Sequence, residues 1–60
     1  MPKRPWDKKR VAALRKRLGD TQEAFAHRLG VTHVSVNRWE NGRSKPSPLA
    51  VRILEELEAK

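Results

Sequence analysis

The sequence contains no cysteine, which excludes disulfide bridges and zinc sites built from thiolates. No apolar run approaches the roughly 20 residues that a membrane-spanning helix needs. The basic start also lacks the apolar stretch of a secretory signal, so the cytoplasm is the expected location. Sixty residues suffice for one domain, whose fold must be held together by its packed core, either alone or with help from a partner chain.

Positive charge dominates the chain and is unevenly distributed. The formal net charge is +7. Residues 1–45 hold 12 basic and 4 acidic residues, whereas residues 46–60 hold 2 basic and 3 acidic residues. A polyanion would therefore bind the first three quarters of the chain. Charge alone is compatible with DNA, RNA, an anionic membrane surface or an acidic protein.

Apolar residues recur at helical spacing, and no segment shows the two-residue alternation of a half-buried strand. We predict a first helix that follows an Asp7 cap and ends near Leu18, a second over about 22–29, a third over about 33–40, and a fourth that starts at Pro48 behind a Ser47 cap. The predicted fold class is all-α, a compact four-helix domain over residues 7–60. Residues 1–6 are predicted to form a flexible basic arm.

The stretch 22–41 is the most informative part of the chain, because it predicts two short helices joined by a tight turn. Gly30 lies where the first of them must end, and glycine accepts the left-handed conformation that closes a helix. Thr21 and Thr32 each suit the capping position before a helix. This is the pattern of a helix-turn-helix, whose second helix usually enters the DNA major groove.

The helical spacing also predicts a core shared by all four helices. Its predicted members are Val11, Leu14, Leu18, Phe25, Leu29, Val31, Val36, Trp39, Ile53, Leu54 and Leu57. Trp6 and Val11 have the spacing of a hydrophobic staple around Asp7.

Two charged residues interrupt the apolar stripes of their helices. Arg15 follows Val11 by four residues, and Glu40 follows Val36 by four residues. Because an unpaired charge on the inward side of a helix is costly, we predict that Arg15 and Glu40 form a partly buried structural ion pair.

The chain resembles a known family in several motifs at once. These are Arg15, QEAFA at 22–26, LGVT at 29–32, WENG at 39–42 and Pro46-Ser47. Together they resemble the lambda-repressor-like, or Xre, helix-turn-helix family over about Val11 to Leu57. The pattern looks most similar to antitoxin-type and small phage-type regulators.

The resemblance implies a set of DNA-contacting residues. Those expected to face base edges in the major groove are His33, Val34, Asn37 and Arg38. Those expected to contact the DNA backbone are Gln22, Thr32, Asn41, Arg43 and Ser44. The arm residues Lys3 and Arg4 are expected to contact phosphates, unless the arm enters a minor groove. Helix geometry agrees independently, because positions 33, 34, 37, 38 and 41 share one face when 36, 39 and 40 face inward.

Each base-reading interpretation has an alternative. Arg38 can bond guanine through its fork, or instead contact a phosphate or only solvent. Asn37 can read adenine, or merely solvate the helix. Val34 can pack on a thymine methyl group, or be an ordinary exposed valine.

Other chemistries find little support in the sequence. His27 and His33 lack the further ligands that a metal site needs, so we expect no metal and no cofactor. Trp6 and Trp39 could stack on single-stranded bases, but a staple and a core position explain them better. No carboxylate pair, glycine-rich phosphate loop or nucleophile elbow occurs, so we do not expect an enzyme.

These patterns predict sequence-specific binding of double-stranded DNA by a small, nucleoid-associated transcriptional regulator, more often a repressor than an activator. We expect a homodimer on a palindromic site, formed by a monomer or weak dimer in free solution. The alternatives are a protein-interaction module, such as an antitoxin fragment that binds a toxin, and a non-specific architectural or RNA-binding protein.

Overall fold

The computed structural model describes residues 5–60, and the predicted contacts of Lys3 and Arg4 lie outside that range. Its helices are α1 (Lys8–Leu18), α2 (Gln22–Leu29), α3 (His33–Glu40) and α4 (Pro48–Ala59). No strand occurs between residues 5 and 60. The all-α prediction and the predicted helix boundaries are therefore confirmed. None of these four helices is long and apolar enough to cross a membrane.

Each helix begins at a side-chain oxygen that accepts a hydrogen bond from the backbone. The Asp7 carboxylate accepts from the N–H of Arg10 at 2.8 Å, and the Ser47 hydroxyl accepts from the N–H of Ala50 at 3.3 Å. Thr21 and Thr32 cap α2 and α3 in the same way. These caps satisfy N–H groups that have no partner inside the helix, which explains why the helices start where they do.

The turn between α2 and α3 depends on Gly30, which has a φ of 73°. This left-handed conformation lets the N–H of Val31 donate to the carbonyl of Ala26 at 3.0 Å. The bond satisfies a carbonyl at the end of α2 and reverses the chain within three residues. As a result α3 packs directly on α2, which also contacts α4, while α1 packs on α3.

The core lies at the centre of the four helices. Its buried members are Trp6, Val11, Leu14, Phe25, Ala26, Leu29, Val36, Trp39, Ala50 and Leu54. Four of the predicted core residues, Leu18, Val31, Ile53 and Leu57, are only partly buried and pack around its edge.

Three buried residues were missing from the predicted core, and each has a physical reason. Ala26 and Ala50 are small enough to let helices approach closely, so they are buried without contributing much apolar area. Trp6, which the prediction counted with the arm, is 7% exposed and packs with the core. Its ring lies under the guanidinium of Arg10, whose Cζ is 3.7 Å from the ring centroid.

Candidate nucleic-acid interface

The exposed face of α3 carries all four residues that were predicted to face DNA bases. His33, Val34, Asn37 and Arg38 are exposed, whereas Val36 and Trp39 on the opposite side are buried. Within residues 5–60, Val34 is one of two large hydrophobic side chains that remain exposed, at 48%. The eight residues of α3 thus present a mixed polar and apolar surface to solvent.

The turn that follows α3 places three of the predicted backbone contacts beside this face. Asn41, Arg43 and Ser44 are all exposed. Gly42 turns the chain with a φ of 74°, and the N–H of Arg43 donates to the carbonyl of Arg38 at 2.9 Å. This bond holds the turn against the end of the helix.

The start of α1 approaches the same turn. A methyl group on Gly42 would lie 3.5 Å from the Cδ of Lys8. Lys8 was not among the predicted contacts, and its proximity depends on how α1 meets α3. It adds an exposed basic residue beside the turn that contains Arg43.

The predicted arginine contacts differ from Arg15, Arg17 and Arg28, although within residues 5–60 the exposed Arg52 of α4 likewise makes no side-chain hydrogen bond or ion pair. Arg15 and Arg28 are paired with carboxylates, and Arg17 donates to carbonyls at the end of α4. By contrast, within residues 5–60 neither Arg38 nor Arg43 makes a side-chain hydrogen bond or ion pair. Their guanidinium groups are therefore available to a ligand with acceptor oxygens.

Thr32, a further predicted backbone contact, already has partners within the helix. Its hydroxyl accepts from the N–H of Ser35 at 3.3 Å and lies 3.1 Å from the Ser35 hydroxyl. Because a hydroxyl has one hydrogen and two lone pairs, it keeps some capacity for a phosphate oxygen.

Behind this face, Arg15 and Glu40 contact each other through two hydrogen bonds. Arg15 donates to the two carboxylate oxygens from Nε at 2.6 Å and from Nη2 at 2.9 Å. A third bond runs from its Nη1 to the carbonyl of Asp20 at 3.0 Å. The two side chains are 17% and 9% exposed, so water reaches the pair only partly. The arrangement ties α1 to the end of α3.

The carboxylate of Glu40 remains ionised in this setting. Burial acts to raise its pKa, but the hydrogen bonds from Arg15 and Gln22 and the nearby positive charges outweigh that effect. The net result is a pKa below the usual value for glutamate. Glu40 is therefore an acceptor that cannot donate.

Gln22 lies between this ion pair and the exposed face of α3. Its Nε2 donates to Glu40 Oε1 at 3.3 Å, and its Oε1 accepts from the Nδ2 of Asn37 at 3.2 Å. Asn37 Oδ1 in turn accepts from the Nδ2 of Asn41 at 2.9 Å. We call Gln22, Asn37 and Asn41 the amide chain. These residues were predicted to contact DNA separately, and the bonds between them were not predicted.

A separate ion pair stabilises the turn before α2. Arg28 donates from Nε to Asp20 at 2.8 Å and from Nη2 at 3.0 Å. These hydrogen bonds lower the pKa of the Asp20 carboxyl despite an opposing effect of burial. The pair links the last turn of α2 to the loop that precedes this helix.

The described residues do not converge on a metal. Between residues 5 and 60, no group of three or more His, Cys, Asp or Glu side chains is placed to hold a metal ion. His27 and His33 are both exposed, on α2 and α3 respectively. A shallow depression on the outer side of α2 is lined by Thr21, Glu23, Ala24 and His27.

Comparison with protein families identifies the family to which this domain belongs. The helix-turn-helix family model matches residues 11–57, which covers all four helices except the ends of α1 and α4. The chain belongs to the lambda-repressor-like (Xre) helix-turn-helix family. No curated protein and no solved structure matches this chain.

Membership in the helix-turn-helix family allows the exposed side of α3 to be interpreted. The chain is a DNA-binding domain of the kind that regulates transcription. The first and second helices of the motif correspond here to α2 and α3. In helix-turn-helix proteins the second helix lies in the major groove and the first crosses the DNA backbone. The helix-turn-helix family is a regulatory family and not a family of enzymes.

Proposed function

We propose that this helix-turn-helix domain binds double-stranded DNA in a sequence-specific manner and acts as a repressor in the cytoplasm, at the chromosome. In this mechanism α3 enters the major groove, α2 crosses the backbone, and the bound protein blocks access of the polymerase. The observation that carries the proposal is the exposed Arg38, which has no side-chain partner within residues 5–60, on the same face as Val34 and Asn37.

Each residue on that face has a role suited to its chemistry. Arg38 donates two hydrogen bonds to O6 and N7 of a guanine, and Val34 packs on a thymine methyl group. His33, at the first position of α3, contacts the edge of the neighbouring base pair. Asn37 presents an amide, which suits adenine.

The flanking residues hold the backbone in register. Arg43 supplies a positive charge past the end of α3, and Thr32, Asn41, Ser44 and Gln22 supply hydrogen bonds to phosphates. Lys3 and Arg4 of the arm add charge of the same kind. These contacts carry no sequence information and make affinity depend on salt.

We further propose that two copies bind a palindromic site, because one helix reads only a few base pairs. Two half-sites about 34 Å apart would then place both α3 helices on one side of the duplex. Helix α4 is needed for the core, so little surface is left for a large interface, and a monomer or weak dimer is expected in free solution. Selection of bound fragments from a random DNA pool tests this directly, since a symmetric motif is expected.

The decisive comparison uses three single substitutions that each remove one positive charge. Arg38→Ala should lower affinity for the selected site by about 1–3 kcal/mol and relax preference at one base position. Arg43→Ala should weaken binding to all duplexes alike and reduce the salt dependence by about one charge per subunit. Arg52→Ala, on the exposed side of α4, is the control and should change neither.

The same titrations on specific and scrambled duplexes distinguish the alternatives. If Arg38→Ala weakens both duplexes equally, α3 does not read bases through this residue and the protein is an architectural binder. Tight binding to a toxin-like protein without DNA affinity would identify an interaction module instead.

A further inference from the structure

The amide chain connects a buried charge with the surface that faces DNA in the proposed function. Its first member, the half-buried Gln22, is bonded to Glu40, whose side chain is 9% exposed, and the chain ends on the exposed Asn37 and Asn41. Hydrogen bonds between exposed amides contribute little to stability, since water competes for them. Stability alone therefore gives little reason for this connection.

The direction of every hydrogen bond in the amide chain follows from the carboxylate of Glu40, to which Gln22 is bonded. Ionised Glu40 can only accept, so Gln22 must turn its Nε2 toward it. The Oε1 of Gln22 then points away and can only accept, so Asn37 must turn its Nδ2 toward Gln22. This leaves Asn37 Oδ1 facing Asn41, which donates to it at 2.9 Å. An isolated asparagine has two amide orientations of similar energy, and here one is selected.

We propose that Gln22 is a positioning residue that holds the Asn37 amide in a single orientation and thereby determines which base Asn37 prefers. This inference rests on the proposed function and goes beyond it, because it makes discrimination at one base pair depend on residues that do not touch the base. Recognition of adenine requires an N–H and a carbonyl oxygen in a defined order, toward N7 and N6 respectively. The reversed amide presents them in the opposite order.

Fixing the amide in the free protein also reduces the conformational entropy that is lost when DNA binds. A free side chain loses rotamer freedom when it contacts a base, whereas a held side chain has already lost it. The two N–H groups and two lone pairs of Asn37 are only half occupied by Gln22 and Asn41, so the amide keeps one donor and one acceptor for the base.

The first test uses the free protein and needs no DNA. Gln22→Met keeps the length of the side chain and removes both of its hydrogen-bonding groups. In NMR spectra of the side-chain amides, we expect the Asn37 signals to shift toward those of a freely rotating asparagine. Glu23→Gln, a change at the neighbouring exposed position of α2, is the control and should leave them in place. Unchanged Asn37 signals in Gln22→Met would overturn the proposal.

The second test measures discrimination, defined as the affinity for the selected site divided by the affinity for the site altered at the base pair that Asn37 contacts. Asn37→Ala should reduce this ratio by about 5- to 100-fold, the range for one bidentate contact. Gln22→Met should reduce it by about 3- to 10-fold at the same base pair and leave discrimination at the base pair read by Arg38 intact.

The double variant separates positioning from direct contact. If Gln22 acts only through Asn37, adding Gln22→Met to Asn37→Ala should produce no further loss of discrimination. A uniform loss of affinity for all sites in Gln22→Met, with discrimination intact, would show a phosphate contact only and overturn the proposal. A loss of discrimination that persists in the Asn37→Ala background would overturn it as well.

Glu40→Gln supplies an independent check, because an amide at position 40 can donate to Gln22 and so permits the whole chain to reverse. Discrimination at the base pair that Asn37 contacts should fall in this variant too. If the variant does not fold, the Gln22→Met measurements still decide the question. An ordered Asn37 amide in a protein with no sequence preference would mean that the proposed function has failed, whereas intact discrimination with a disordered amide would overturn this inference alone.

Discussion

Two arginine–glutamate pairs start from α1 and lead to opposite parts of the domain. Arg15 reaches Glu40 at the end of α3, while Arg10 reaches Glu58 in the last turn of α4 at 2.8 Å. Glu40 is 9% exposed and accepts a further bond from Gln22, whereas the Glu58 side chain is 35% exposed. The same type of bidentate contact therefore has a different role in each place. One pair supports the surface proposed to face DNA, and the other closes the fold where its helices α1 and α4 meet.

Each pair also lies near a tryptophan that is buried in the core. Trp39 precedes Glu40 on α3, whereas Trp6 precedes α1 and lies beneath Arg10. Arg17 strengthens the second region with hydrogen bonds to the carbonyls of Leu57 and Glu58, at 3.3 and 2.9 Å. Damage near Trp39 should thus affect folding and recognition together, and damage near Trp6 should affect folding alone.

The largest expected effect is that of Trp39→Ala. Removing this buried side chain should lower the free energy of unfolding by about 3–5 kcal/mol, enough to unfold so small a domain. Trp6→Ala, the matched change in the other region, should cost a similar amount, because the two side chains are 7% and 6% exposed. Thermal and urea unfolding followed by circular dichroism measure both. A folded Trp39→Ala protein of unchanged stability would refute the core assignment.

Next in size is the coupling between Arg15 and Glu40. Replacing either residue with alanine should destabilise the protein by about 3 kcal/mol, because the remaining partner is left as a poorly hydrated charge. The double variant should be less destabilised than the sum of the two single variants. Urea unfolding of all four proteins forms the thermodynamic cycle. Additive losses would mean that the two side chains do not stabilise each other.

The corresponding change in the other region should be smaller. Glu58→Gln should cost at most about 1 kcal/mol, because the carboxylate is accessible to water and its pair is screened. It should also leave DNA sequence preference unaltered. Unfolding and DNA titration of the same preparation test both statements. A loss of discrimination in Glu58→Gln would remove the distinction between the two regions.

The smallest expected effect is a dependence of stability on pH that the Arg15–Glu40 pair causes. The native pKa of Glu40 lies below its unfolded value, so ionised Glu40 stabilises the fold at any pH above the unfolded pKa. This stabilisation is lost as the pH falls through the native pKa. The difference in unfolding free energy between the wild type and Glu40→Gln should therefore be largest near neutral pH and shrink in acid. A constant difference from pH 7 to strongly acidic pH would contradict the assignment.

Much of the fold could be predicted because its signals are local. Asp7, Thr21, Thr32 and Ser47 cap helices within three residues of themselves, and Gly30 ends α2 by its own backbone conformation. The contact between Arg15 and Glu40 spans 25 residues but could still be inferred, since each charge interrupts an apolar stripe.

The remaining contacts depend on how the helices cross, which no local pattern encodes. Gln22 and Asn37 looked like two independent polar residues, and only the packing of α2 on α3 brings their amides within 3.2 Å. The contact of Arg10 with Glu58 likewise requires α1 to meet the end of α4, 48 residues away. The signal for the amide chain was the presence of amides at both 37 and 41, one helical turn apart.

The length of α3 sets a limit on how much information the domain can carry. Eight residues of helix are about 12 Å long, which spans on the order of four base pairs. A word of four letters recurs about once in roughly 250 random positions, whereas a genome offers roughly a million positions or more. One copy of α3 therefore supplies about 8 bits of sequence information, whereas specifying a single site in a genome needs about 20 bits or more. When a second copy binds the same sequence on the opposite strand, the chance frequency of the combined site is the square of that of one half-site. A domain this small therefore becomes selective mainly when more than one copy binds.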